Sequence, residues 1–289
     1  MIKLIECPRD AMQGLKEFIG TETKAKYINQ LLKVGFDTID FGSFVSPKAI
    51  PQMRDTAKVL KALELDKTKS KLLSIVANRR GAEDACQFDE INYLGYPFSI
   101  SETFQLRNTN ATIKESLRRL EAIQKLCQKH NKKLVVYVSM GFGNPYGDAW
   151  NVEIVQKWVD QLADMDIKIL SLSDTIGSAS KETISYLFDN LIPPYPDVEF
   201  GAHFHTRPDE WEEKIEAAYE NGCKRFDGAI KGYGGCPMAK DDLTGNMPTE
   251  NVIYYFKNRD IDLGLNHEAF GKSMQLALDV FPQQHQILH

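Results

Sequence analysis

The sequence has no CxxC pair, no long apolar run and no excess of basic charge. Its five cysteines, Cys7, Cys86, Cys127, Cys223 and Cys236, are scattered along 289 residues. An odd count without paired spacing excludes a disulfide framework and a zinc knuckle, and leaves reduced thiols in a cytosolic setting. Nothing approaches the roughly 20 apolar residues of a membrane span. The opening residues, MIKLIECPRD, carry Lys3 and Glu6 where a signal peptide needs an apolar core. A cytoplasmic protein with no membrane partner is therefore expected, and a missing transit peptide fits a bacterium. Lysine and arginine number 35 against 40 acidic residues, a net charge of −5, so no nucleic-acid partner is expected either. Low-complexity stretches and obvious linkers are also missing. With 43% hydrophobic and 26% charged residues, the composition is that of an ordinary globular chain, and a single domain over 1–289 is expected.

What is present is one pattern, repeated. Short apolar, β-branched runs alternate with longer segments whose apolar residues recur at helical spacing. The expected strands are Lys3–Cys7, Phe36–Gly42, Leu72–Ala77, Phe88–Leu94, Lys133–Met140, Ile167–Asp174, Val198–His205 and Arg225–Ile230. Expected helices include Thr21–Val34, Thr112–His130, Val152–Met165, Lys181–Leu191 and Pro208–Asn221. Eight strands alternating with helices is the count of an α/β (β/α)8 TIM barrel, with a doubly wound open sheet as the competitor. Two features favour the barrel. No GxGxxG follows the first strand, and polar residues gather at the C-terminal end of nearly every strand instead of at one crevice. The barrel is expected over about 1–258, followed by a helical extension over 259–289. Its segment His267–Phe281 would pack on the barrel or on another subunit.

Barrel enzymes build their sites at the C-terminal strand ends. There the sequence offers Arg9-Asp10 after strand one, Asp40 and Ser43 on strand two, Asn78 with Arg79-Arg80 after strand three, and Asp174 on strand six. Strand seven carries His203 and His205, and strand eight runs through Lys231 into GYGGCPMAKDDLTGN. Residues i and i+2 of a strand point the same way, so both imidazoles can reach one ion. Hydrogen-bonded histidines in a polar barrel mouth would be the alternative. Asp10 and the candidate Asn246 complete a mixed nitrogen and oxygen set that suits Mg²⁺ or Mn²⁺ better than zinc. Arg9 is a fixed cation able to stabilise an oxyanion or enolate. Asp40 and Asp174 are candidate acid–base groups or orienters of ligands, or structural carboxylates. Cys236 sits on a glycine-rich loop that can bring a thiol over a bound substrate.

In order and spacing, ECPRDAMQG, FVSPKAIPQM, SLSDTIG, AHFH and YGGCPMAKDDLTGNMPTEN resemble the 3-hydroxy-3-methylglutaryl-CoA (HMG-CoA) lyase family over about Glu6 to Phe256. The resemblance implies divalent-metal-dependent cleavage of an acyl-CoA, HMG-CoA, to acetyl-CoA and acetoacetate. Such a reaction belongs to leucine breakdown or ketone-body formation. It also implies Asp10, His203, His205 and Asn246 as metal ligands, Arg9 on the departing enolate, Cys236 in proton transfer and Asp174 in acid–base chemistry or binding. Ser43, Asn78 and Ser171 would lie near the substrate, and a homodimer is a family expectation. Alternatives are an aldolase or Claisen-type synthase with another hydroxyacyl substrate, or a homologue that binds metal and ligand without turnover.

Several positions depart from the family. Asp40 stands where it has Glu, one methylene longer, and Thr206-Arg207 and Trp211 follow the histidines where smaller residues are usual. Lys231 adds a cation that could bind a substrate carboxylate or pair with Asp227.

Overall fold

Strands covered by helices on one side and by other strands' side chains on the other are buried on both faces, which is why these runs are rich in apolar residues. In the computed structural model, which describes residues 1–235 and 244–281, they become β1 (Lys3–Glu6), β2 (Thr38–Ser43), β3 (Lys71–Ile75), β4 (Ile91–Ser99), β5 (Lys133–Ser139), β6 (Ile169–Asp174), β7 (Glu199–Thr206) and β8 (Arg225–Gly228). A short ninth strand, β9 (Gly245–Asn246), lies beyond them. Neighbouring strands from β1 to β8 pair in parallel, and β8 returns to β1 through Ile5–Asp227 and Glu6–Gly228, closing the ring. The fold is a (β/α)8 TIM barrel, as the alternation predicts.

The helices are α1 (Pro8–Gln13), α2 (Thr21–Leu32), α3 (Thr56–Lys61), α4 (Arg79–Ala85), α5 (Glu102–Thr109), α6 (Ile113–Lys129), α7 (Val152–Asp164), α8 (Lys181–Leu191), α9 (Trp211–Glu220), α10 (Thr249–Lys257) and α11 (His267–Val280). Local chemistry explains several boundaries. Thr112 and Glu115 cap α6 reciprocally, and Asn151 accepts from the Ile154 N–H at the start of α7. Helix α9 starts at Trp211, three residues later than Pro208 suggests. Helix α11 packs on the chain's own barrel: Gln30 donates to the Ala269 carbonyl at 2.9 Å, and the Phe36 and Phe270 rings meet edge-to-face at 6.4 Å. Among the described residues no helix is long and apolar enough to cross a membrane.

Strand four differs most from expectation. It begins at Ile91 and runs on to Ser99, through Gly95 and Pro97, which read as breakers in the sequence. The lumen demands the glycine, because a Cβ at Gly95 would lie 2.5 Å from Ile75 Cδ1 and 3.1 Å from Tyr137 Cε2. Inside the ring Leu73, Ile75, Tyr93, Val135, Tyr137 and Ile169 form their own apolar plug, separate from the larger core between strands and helices.

The closing seam is held by a buried acid. Glu6, fully buried on β1, accepts from the Ile230 N–H at 3.0 Å and from the Thr249 hydroxyl at 2.5 Å, fastening the first strand to the start of α10. Burial pushes its carboxyl from 4.5 up to about 8 against those two bonds. The folded chain thus keeps a proton that the unfolded chain releases, so the contribution of Glu6 to stability is fullest below pH 4.5 and is lost as pH rises toward 8. The slope from this one group is about 1.4 kcal/mol per pH unit. A Glu6→Gln variant is expected to gain on the wild type by that slope as pH rises, measured by urea unfolding at pH 5 and pH 8. Parallel pH dependence in the two proteins would contradict the buried neutral acid.

Candidate active site

The mouth of the barrel holds a cavity whose wall includes Arg9, Asp10, His203 and His205, together with Ser139, Ser173 and Thr175. Arg9 and Asp10 occupy the first turn of α1, directly after β1, with Pro8 opening the helix. That immediate strand-to-helix turn buries both side chains at the rim. The Arg9 guanidinium is gripped from two sides. Its Nε lies 3.0 and 3.2 Å from the Asp40 carboxylate oxygens, and its Nη1 lies 2.8 Å from Asp10 Oδ1. Burial opposes the charge on Arg9, but the two carboxylates raise its pKa above the ordinary value. Burial lifts Asp40 to about 6, with Arg9 pulling the other way. Asp10 is also disfavoured by burial, yet Arg9 and the two histidines outweigh this and hold its carboxyl below the usual range. It remains an anion.

The histidines are distinct. His203 Nδ1 lies 3.1 Å from Asp227 Oδ2, so a neutral ring donates there and turns its Nε2 lone pair away from the aspartate. Burial works against protonating His203, and Asp227 more than offsets it, raising its pKa. His205 is pushed down to about 4 by burial and by its neighbour His203, which keeps it neutral. Its Nδ1 is buried without a hydrogen-bond partner. Such an orphaned lone pair is costly unless something fills it. Ligand atoms of Asp10, His203 and His205 all lie within 4.8 Å of one another. Asn246 joins them: β9 runs antiparallel to β7 with Asn246 opposite His205, and its amide bonds to the Asp10 carboxylate and to the Tyr233 carbonyl. One carboxylate, two imidazoles and an amide fit a divalent cation. A second cluster, Cys7, His203 and Asp227, fits less well. Burial drives the Cys7 thiol further from ionising, and Asp227 is already engaged with His203.

Other sequence-expected residues lie elsewhere. Asp174 is buried off the cavity, accepting from Ser178 and Ala179 backbone N–H groups and from Lys214. Ser171 faces the lumen one layer below the mouth, beside Gly201 and Arg225, and Ser173 takes its place at the cavity. Ser43 and Asn78 line a neighbouring cleft with Arg54 and Arg80. Strand β3 stops at Ile75, and Asn78 serves as the cap of α4 through the Gly81 N–H at 2.9 Å. Lys231 points its backbone N–H at Glu250, while Asp227, the partner weighed for it, takes His203 instead. Trp211 meets Tyr254 edge-to-face at 6.3 Å. Cys236 lies outside the described residues, although the adjacent Gly235 reaches the cavity wall.

Sequence reasoning passed over Asp227 as the orienter of His203. Its signal was present: it sits two residues after Arg225 on the lumen face of β8, one strand from His203. Gln13 was also missed; it donates to Asp10 Oδ1 at 2.7 Å, one helical turn on.

A closed parallel barrel with a buried Arg-Asp turn and a His-x-His strand at one cavity belongs with the TIM-barrel lyases. The HMGL-like family model matches residues 2–276, and the chain belongs to that family. It is 34% identical to the hydroxymethylglutaryl-CoA lyase YngG of Bacillus subtilis over 90% of this chain and 86% of that one. It is 31% identical to the 3-hydroxy-3-isohexenylglutaryl-CoA/hydroxymethylglutaryl-CoA lyase of Pseudomonas aeruginosa, over 93% and 89% of the two chains. Among solved structures, an HMG-CoA lyase from Acinetobacter baumannii in complex with coenzyme A and 3-methylmalate superposes with a TM-score of 0.89. It shares 28% identity and covers 98% of this chain and 92% of that one.

Proposed function

We propose that this protein is a divalent-cation-dependent carbon–carbon lyase that cleaves HMG-CoA to acetyl-CoA and acetoacetate. The observation that carries the reading is the convergence of Asp10, His203 and His205 on one point of the cavity beside the locked Arg9. Asp10, His203, His205 and Asn246 would hold the ion, Mg²⁺ or Mn²⁺. When bound, that ion supplies Lewis acidity to a chelating hydroxy acid. Asp227 fixes the tautomer of His203, and Gln13 and Arg9 orient Asp10. Arg9 is aimed by Asp40 and Asp10 toward the cavity, where its remaining donor capacity meets negative charge developing on the thioester oxygen of the departing enolate. Cys236, next in sequence to the cavity-lining Gly235, would then deliver a proton to that carbanion.

The partner is a free acyl-CoA thioester, and the setting is cytoplasmic metabolism of the leucine-degradation or ketone-body type, as a homodimer. A second reading rests on Val45, Ile50, Ile75 and Phe104, an apolar wall of the same cavity suited to 3-substituents larger than methyl. The test is acetoacetate release from HMG-CoA with Mn²⁺ or Mg²⁺ and a thiol reductant. Turnover of about 1–10³ s⁻¹ is expected, abolished by EDTA and restored by added ion. Metal-loaded, folded protein that leaves HMG-CoA intact would reject the substrate and favour the larger acyl group.

A further inference from the structure

Lys214 is the most fully committed lysine near the mouth. It lies on α9 with no exposed surface, a rare position for a lysine unless its charge is met. Its ammonium has three donors and three acceptors: Asp174 Oδ2 at 2.9 Å, the His205 carbonyl at 3.0 Å and the Gly177 carbonyl at 3.1 Å. Asp174 is equally committed. Its oxygens take the Ser178 N–H at 2.8 Å, the Ala179 N–H at 3.1 Å and Lys214, and it does not reach the cavity. A proton-transfer group must come within about 3 Å of the reacting atom or act through one water.

What the pair does reach is the support of the ion site. Lys214 ties the end of β7, where His205 stands opposite Asn246, to the turn after β6. That turn presents the Thr175 carbonyl to the His205 ring. Its Gly177, at a φ of +72°, packs so closely on Thr244 that a Cβ would come within 2.7 Å of the threonine methyl. Thr244 in turn leads into Gly245 and Asn246.

We propose that Lys214 is a positioning residue, its charge balanced by Asp174, that locks His205 and Asn246 into ion-binding geometry, and that Asp174 serves this lock instead of carrying protons. The proposal rests on the ligand set given above. Breaking the pair strands a buried charge, whereas removing both charges together does not.

The experiment compares the wild type, Lys214→Met, Asp174→Asn and the double variant. Mn²⁺ affinity is read by electron paramagnetic resonance of free Mn²⁺ without substrate, with thermal melts run in parallel. Each single variant is expected to weaken Mn²⁺ binding by about 10–100-fold, the range for lost outer support of a metal ligand. The double variant is expected to recover most of that affinity and to keep HMG-CoA cleavage within about tenfold of the wild type. Wild-type Mn²⁺ affinity in both Asp174→Asn proteins, with kcat down by about 10²–10⁴, would overturn the proposal and return Asp174 to proton transfer. Unchanged affinity in Lys214→Met would overturn it as well. A wild type that binds Mn²⁺ but leaves HMG-CoA uncut would remove the substrate reading alone, since the affinity comparison stands without turnover.

Discussion

Replacing His203 by alanine is expected to lower kcat by about 10³-fold and to remove stoichiometric Mn²⁺ binding. The size follows from the several kcal/mol that a Lewis acid supplies to charge development, at 1.36 kcal/mol per tenfold. It also follows from what the substitution leaves behind. Asp227 Oδ2 loses its imidazole partner, and Oδ1 already has none, so a buried carboxylate is left without its orienting role. Equilibrium dialysis against Mn²⁺ and steady-state kinetics measure the two effects. Undiminished turnover in chelator-treated His203→Ala would refute the ligand set.

Arg9→Met is the second large effect, and it divides into two parts. Losing one preorganised donor at a developing oxyanion costs about 10²–10³ in kcat. The remainder is structural: Asp40 and Asp10 both lose the guanidinium between them, and breaking a buried pair costs about 3–5 kcal/mol. Burial already lifts Asp40 to about 6, and without Arg9 to oppose burial its carboxyl would rise further. Arg9→Lys separates the parts. It keeps a charge near the carboxylates but loses the planar fork that spans Asp40 and Asp10. Its stability, read by urea unfolding, is expected to stay near that of the wild type, while kcat falls with little change in KM. Equal loss of kcat and stability in both variants would make Arg9 purely structural.

The barrel was legible because its signal is long-range repetition: eight apolar runs survive errors of several residues at each end. The ligands were legible for a related reason, since strand alternation alone puts His203 and His205 on one face and the strand-end rule puts Asp10 beside them. What escaped depends on depth and on partners, which a period cannot report. Ser171 and Ser173 both face inward, and only layer height decides which meets the cavity. Asp174 reads as a strand-end carboxylate, but its occupation by Lys214 comes from a helix 40 positions away. Strand β4 passes through a glycine and a proline because the lumen needs room there, a tertiary demand that overrides local propensity. The two-residue β9 has no periodicity at all, and exists because Asn246 pairs with His205.

The seam between β8 and β1 has a consequence for how the chain is made. Glu6 and Thr249, which clasp it, are 243 positions apart. During synthesis the first strand must wait with one edge bare until the eighth emerges, an open template for pairing with other chains. Closure is therefore among the last events of folding, and the proposed ligands straddle it, Asp10 on the early side and His203, His205 and Asn246 on the late side. An ion gripping all four would act as a rivet set after assembly. Interactions formed after the folding barrier slow unfolding without hastening folding, so the protein's lifetime, more than its birth, would depend on metal supply.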